Sequence, residues 1–227
     1  MRPKQTDKED GRLVRGEATR ERVVDAAERL FADHGFDAVS IRQIAAEAGV
    51  TLGVVGFHSG SKEDLFTTIL KRRVDAVSAA RRERLAILKT SGNPIELNGL
   101  MAAYIEPYID FAANGGRQWF AYARLIAHVS TDTRWYPTVR ELYDPVAHEF
   151  IEEISAMYPQ AGRKEVAAAL VMSVAAMLST VASTVRMESL ARRDGDLPSE
   201  SVERLEQHRR TLIDFCTGGI ESAISER

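Results

Sequence analysis

The chain has 227 residues, 30 Lys plus Arg against 33 Asp plus Glu for a formal charge of −3, 44% hydrophobic residues and 28% charged. That composition suits one large domain, or a small one joined to a larger one, and excludes wholesale disorder and collagen-like structure. Its single cysteine, Cys216, cannot close an internal disulfide, which excludes a small secreted disulfide scaffold and makes a reducing cytoplasm the expected compartment.

The first twenty residues, MRPKQTDKEDGRLVRGEATR, are polar and lack the apolar stretch of a secretory signal, so residues 1–16 are expected as a flexible tail. Apolar residues then recur at helical spacing almost throughout, with no alternating run that would make a strand, and the predicted fold class is all-α. From Glu17 to His34, the residues Val23, Ala26, Ala27, Leu30 and Phe31 share one helix face, and Gly35 stops the helix. Ser40 with Gln43 is a capping-box signature opening a short helix that lines up Ile41, Ile44, Ala45 and Ala48 and stops at Gly49. Thr51 is placed to cap a third short helix, Leu52 to His58. Ser61 with Asp64 is a second box, opening a long helix to about Leu88 whose inner side carries Leu65, Phe66, Ile69, Leu70, Val74 and Val77.

After the turn cluster Ser91–Pro94, helices are predicted at 95–113, 117–129, 136–157, 163–188 and 200–225, with kinks at Pro107 and Pro145. The breaks fall at Gly115-Gly116, Thr131–Trp135, Pro159–Gly162 and Asp194–Ser199. The uncharged run from Val166 to Val185 approaches membrane-spanning length. It holds six Ala and five Ser or Thr, which favours a helix packed closely against a partner, and no membrane partner is expected.

Three helices within about 45 residues, the last two short and joined at Gly49, make a helix-turn-helix candidate. In that motif the helix after the turn enters the major groove while the helix before it faces the backbone. Ser40, Arg42, Thr51 and Lys62 are placed for phosphates, helped by backbone amides at helix starts. Residues 1–73 carry 13 basic and 12 acidic side chains, so placement rather than bulk charge must do the binding. Lys71, Arg72 and Arg73, with Arg2, Lys4, Lys8, Arg12 and Arg15 of the tail, are further phosphate candidates, although a solvated face is the simpler reading of Lys71–Arg73.

The segment VVDAAERLFADHGFDAVSIRQIAAEAGVTLGVVGFHSGSKEDL, Val23 to Leu65, covers about a fifth of the chain. In the spacing of AAxxLFxxxGF, SIxxIAxxAGV and HxGSKEDL it closely resembles the TetR family of bacterial transcriptional regulators. The resemblance implies a DNA-binding domain at 17–77, with its helix-turn-helix at 40–59, and a ligand-sensing and dimerisation domain at 78–227. It also implies a homodimer held by the last two helices, most often a repressor. The DNA-facing set is then Ser40, Arg42, Thr51, Leu52, Gly53, Gly56, Phe57, His58 and Lys62. Where members commonly read LYYHF, this chain reads Val55-Gly56-Phe57-His58-Ser59, so Gly56 replaces a frequent phosphate-contacting tyrosine and Ser59 a core phenylalanine. Glycine inside a short helix costs about 1 kcal/mol relative to alanine. The alternative is a helical ligand-binding or protein-interaction dimer that has lost sequence-specific DNA recognition.

Of sixteen aromatic residues, eleven lie between Met101 and Gln160, and tyrosine and tryptophan combine an apolar body with a polar handle. Tyr104, Tyr108, Trp119, Tyr122, His128 and Tyr143 form the candidate pocket for a small, largely apolar or aromatic effector, against the simpler reading that each fills core volume. His128 and His148, near Glu149 and Glu152, lack a tight metal-ligand spacing, so no metal site is assigned. Ala175, Ser179 and Ser183, four apart, with Leu205, Leu212 and Phe215 of the last helix, form the candidate dimer interface. No GxSxG or GxGxxG occurs, and Gly60-Ser61-Lys62 fails the phosphate-loop pattern, so neither an enzyme nor a cofactor is expected. The expected partners are a double-stranded, palindromic DNA operator, a small-molecule effector and a second copy of the chain.

Overall fold

The computed structural model describes residues 5–191 and 202–225, with side chains for 14–191 and 205–225. Arg2, Lys4, the side chains of Lys8 and Arg12, and the expected break at Asp194–Ser199 lie outside the described residues. Every described element is helical, in keeping with the period-3.6 pattern, and no strand occurs among the described residues. Two compact units divide the chain, one ending at Arg72 and the other beginning at Arg73. The expected division after Val77 thus falls five residues late, because Val77 belongs to the packing of the second unit.

The first unit holds α1 (Gln5–His34), α2 (Ile41–Ala48), α3 (Leu52–Ser59) and the start of α4 (Lys62–Thr90). α1 begins well before the predicted Glu17. Residues 5–16 offer no apolar face to read, but they hold no proline to bar the helix, and the turns of α1 extend back through them despite Gly11 and Gly16. Val23, Ala26, Ala27 and Phe31 are fully buried, as the helical spacing predicts, while Leu30 is half-buried. They pack with Ile44, Ala45 and Ala48 of α2, Val55 of α3 and Leu65, Phe66 and Ile69 of α4. Phe31, Phe36 and Phe66 meet with ring centroids 4.9 to 5.5 Å apart. Arg72 clamps α4 to α1 by binding Asp25 and Glu21, with the buried Glu28 carboxylate 3.8 Å away. Partial burial opposes its charge, but the Asp25 hydrogen bond and the three carboxylates more than restore it.

The second unit adds α5 (Leu97–Asn114), α6 (Arg117–Val129), a 3-10 turn (Thr133–Trp135), α7 (Tyr136–Leu142), α8 (Asp144–Met157), α9 (Arg163–Ala182), α10 (Thr184–Ala191) and α11 (Val202–Ile224). α11 packs on α5 and α9, α6 on α5 and α9, and α8 on α9. The predicted helix 136–157 is two helices, because Pro145 has no amide hydrogen to continue one and instead occupies the first turn of α8. The predicted helix 163–188 likewise ends at Ser183, in a run of Ser, Thr and Val whose hydroxyls and β-branches weaken helical continuation. α9 has the length and composition to cross a membrane, but Val166, Leu170, Met177, Leu178 and Val181 are buried within the unit. Arg84 binds Glu106 and Asp110, and Arg209 reaches the same Asp110 at 2.6 Å, tying α4, α5 and α11 together.

Candidate DNA-binding head and ligand cavity

Local sequence fixes the turn between α2 and α3. The Ser40 hydroxyl accepts from the Gln43 amide and the Gln43 side chain accepts from the Ser40 amide, closing the predicted capping box. Gly49 ends α2 at φ +64°, the left-handed region that glycine enters without a Cβ penalty. The second box also forms: Ser61 and Asp64 exchange three hydrogen bonds at 2.7 to 3.0 Å. The bonds from Ser61 hold the Asp64 carboxyl below the usual carboxylate range. Thr51 precedes α3 as predicted, but its hydroxyl makes no capping bond and stays exposed.

α3 buries only Val55. Its outer side presents Leu52, 49% exposed, Phe57, 83% exposed, and the exposed Gly53 and Gly56. Ser40 and Arg42 are also exposed. His58 is half-buried, edge-on to Phe57 at 5.1 Å. Lys62, expected at a phosphate, is half-buried with its ammonium 4.3 Å from the Phe36 ring centroid. A Cβ added at Gly53 or Gly56 would meet nothing within 4 Å. The Ser59 hydroxyl, in the place where an apolar ring was expected from the resemblance, is buried without a hydrogen-bond partner. Of the three consecutive cations expected to form one solvated face, Lys71 is exposed, Arg72 forms the clamp described above, and Arg73 lies 4.6 Å from the Trp119 ring.

In the second unit, Tyr104, Tyr108, Tyr122 and Tyr143 line a cavity of about 80 Å³ with Val77, Arg81, Ile126, Val139, Val174, Met177 and Leu178. Tyr108 donates to the Ala123 carbonyl at 2.7 Å, and the Tyr122 and Tyr143 hydroxyls pair at 2.7 Å. Burial pushes the Tyr108 and Tyr143 phenols up, with the charge of Arg81 opposing it only in part. A surface depression of about 220 Å³ shares Val129, Ser130 and Val139 with the cavity and is bounded by Tyr136 and Val139 of α7, a helix with no buried residue.

Two expected pocket residues are elsewhere. Trp119 stacks on Phe111 at 4.1 Å, and His128 is exposed on the outer side of α6. Both share a helix with Tyr122, and spacing alone could not separate the inward face from the outward one. Arg81 is the residue sequence reading missed, since its burial depends on α5 and α9, distant in sequence. Glu149 pairs with Arg82 and Glu152 with Arg163, and among the described residues no three His, Cys, Asp or Glu side chains gather for a metal.

The dimer candidates separate in the same way. Ala175 and Ser179 are exposed on α9, and Phe215 is 69% exposed on α11. Val171, 67% exposed, and Met172, 69% exposed, continue that apolar stripe. Leu205 and Leu212 instead lie inside the protomer, at 0% and 5% exposure, and Ser183 is half-buried at the end of α9, so none of the three belongs to the exposed face.

Residues 23–69 match the family model of bacterial regulatory proteins of the tetR family, and residues 102–219 match the tetracyclin repressor-like C-terminal domain. The chain is 31% identical over 119 residues to the HTH-type transcriptional activator FasR of Mycolicibacterium smegmatis, covering 52% of each chain. It is 33% identical over 85 residues to the HTH-type transcriptional repressor KstR2 of Mycobacterium tuberculosis, covering 37% of this chain and 41% of that one. The matches thus span about half the length of these curated relatives, or less. Among solved structures, the fatty acid degradation regulator FadR of Bacillus halodurans superposes with TM-score 0.58 at 15% identity, covering 88% of this chain and 98% of that one. A tetR-family regulator of Streptomyces coelicolor gives 0.53 at 18%, covering 91% and 82%. With two family models matched in chain order, the second alone across more than half its length, the chain belongs to the TetR family of bacterial regulatory proteins.

Proposed function

We propose that the protein is a ligand-responsive transcriptional regulator of the cytoplasm that binds a palindromic DNA operator as a homodimer and represses from it. The observation that carries this reading is the outer side of α3, where Leu52 and Phe57 stand exposed on a helix anchored through Val55 alone. A helix so presented, between two capped helix starts whose amides suit phosphate oxygens, has the chemistry for a major groove. The apolar stripe of Val171, Met172 and Phe215 supports pairing through α9 and α11. The tyrosine-lined cavity supports an effector site, because a few polar groups in an apolar wall orient a small ligand. Effector binding shifts the population between two spacings of the paired heads.

Selection of genomic fragments on the purified chain, followed by titration of the best fragment across a salt series, tests this. The expected result is one palindrome with half-sites about 34 to 36 Å apart or a multiple of that. Affinity should fall with a log–log slope of about −0.9 per phosphate neutralised. Transcription from that fragment in vitro reads the sign. No recovery above non-specific background from a folded dimer would overturn DNA recognition and favour the ligand-binding alternative raised by Gly56 and Ser59.

A further inference from the structure

Four cations of α4 have acidic partners: Arg72, Arg82, Arg84 and Lys89 each reach at least one carboxylate. Arg81, on the same helix and only 4% exposed, reaches none among the described residues. Its contacts are all with neutral groups. Nε donates to the Tyr104 carbonyl at 2.8 Å, one terminal nitrogen meets Met177 Sδ at 3.7 Å, and the Tyr104 ring centroid lies 3.9 Å from the guanidinium carbon. Among the described residues the second terminal nitrogen has no hydrogen-bond partner. Burying a guanidinium without a counter-charge is costly, and such groups are ordinarily paired. The nearby phenols do not supply that charge: Tyr108, Tyr122 and Tyr143 are engaged with Ala123 or with one another. Arg81 also lines the cavity, with Val77, Val174, Met177 and Leu178 as its apolar wall.

We propose that the effector is a compact organic carboxylate whose anionic group pairs with Arg81 while its apolar body lies among Val77, Val174, Met177 and Leu178. This rests on the cavity being the effector site. A carboxylate suits the open position because its two oxygens match the planar donor fork of arginine. Neutralising a buried charge in an otherwise apolar cavity discriminates more sharply than shape does.

The test is calorimetric titration of the full chain at neutral pH with two matched pairs, benzoate against benzyl alcohol and hexanoate against hexanol. The expected result is that each carboxylate binds at least about tenfold more tightly than its alcohol. Arg81→Met should abolish that preference while alcohol binding persists, and Arg81→Lys should retain part of it. An alcohol binding as tightly as its carboxylate, or a preference unchanged in Arg81→Met, overturns the anion assignment and leaves the cavity as a site for a neutral effector. The comparison within the wild-type chain decides even if Arg81→Met does not fold. Val174→Phe, which fills the cavity, should remove binding of both classes. If it does not, or if neither class binds the wild type, the effector-site reading falls together with the anion assignment.

Discussion

Ser59 carries a hydroxyl into the interior of the first unit and finds no partner for it there among the described residues. A buried unsatisfied oxygen costs about 1 to 3 kcal/mol, so Ser59→Ala is expected to stabilise the chain by about 1 kcal/mol in denaturant unfolding. Tyr108 and Tyr143 supply the opposite kind of test. Their phenols are raised above the ordinary 10.0 because the fold favours the neutral form. That stabilisation is fully present below pH 10.0 and is lost as pH rises through the folded values. Absorbance titration should therefore show the Tyr108 and Tyr143 phenols resisting ionisation until the chain unfolds; their titration near the ordinary value in the folded chain would refute their burial. The tyrosines were legible as a cluster because aromatic enrichment is a property of composition. Arg81 was not, since it is one of three arginines in RRER and nothing local separates it from Arg82 and Arg84 until distant helices bury it.

At the scale of elements, α3 is the one most exposed to change. Gly56 weakens it with no compensating contact, since a Cβ there meets nothing within 4 Å. Gly56→Ala is expected to stabilise the head by about 1 kcal/mol without displacing any neighbour, and retained operator affinity in the same titration would show the added methyl to be tolerated on the outer side of α3. A destabilised variant would mean that the backbone of α3 needs glycine for a reason not visible in its packing. The starts of α2 and α4 were readable because a capping box is written within four residues, and both boxes form. The divisions at Tyr143 and Ser183 were harder to read, since apolar periodicity continues across them and only Pro145 and the Ser/Thr run mark the breaks. The early start of α1 was missed for the converse reason: the helix continues through residues 5–16 with no apolar stripe to mark it.

The whole molecule shows the same division between what is local and what is not. Leu205 and Leu212 have the periodicity of an interface but are used inside the protomer, whereas Val171, Met172 and Phe215 remain outside. One chain's sequence cannot say which of two apolar faces is spent on its own core. Replacing Met172 or Phe215 with Glu is expected to convert a sedimenting dimer into a folded monomer and to weaken operator binding with it. A wild-type chain that sediments as a monomer at all concentrations would refute the pairing. Cys216 draws one more consequence from the same helices. It is the only cysteine, 2% exposed, with its thiol on the Ser173 carbonyl and its ionisation pushed up by burial. A thiol reagent can modify it only when α11 parts from α9, so the native chain carries its own opening clock. The labelling rate, read with and without effector or DNA, times the opening of the second unit with no cysteine engineered into it.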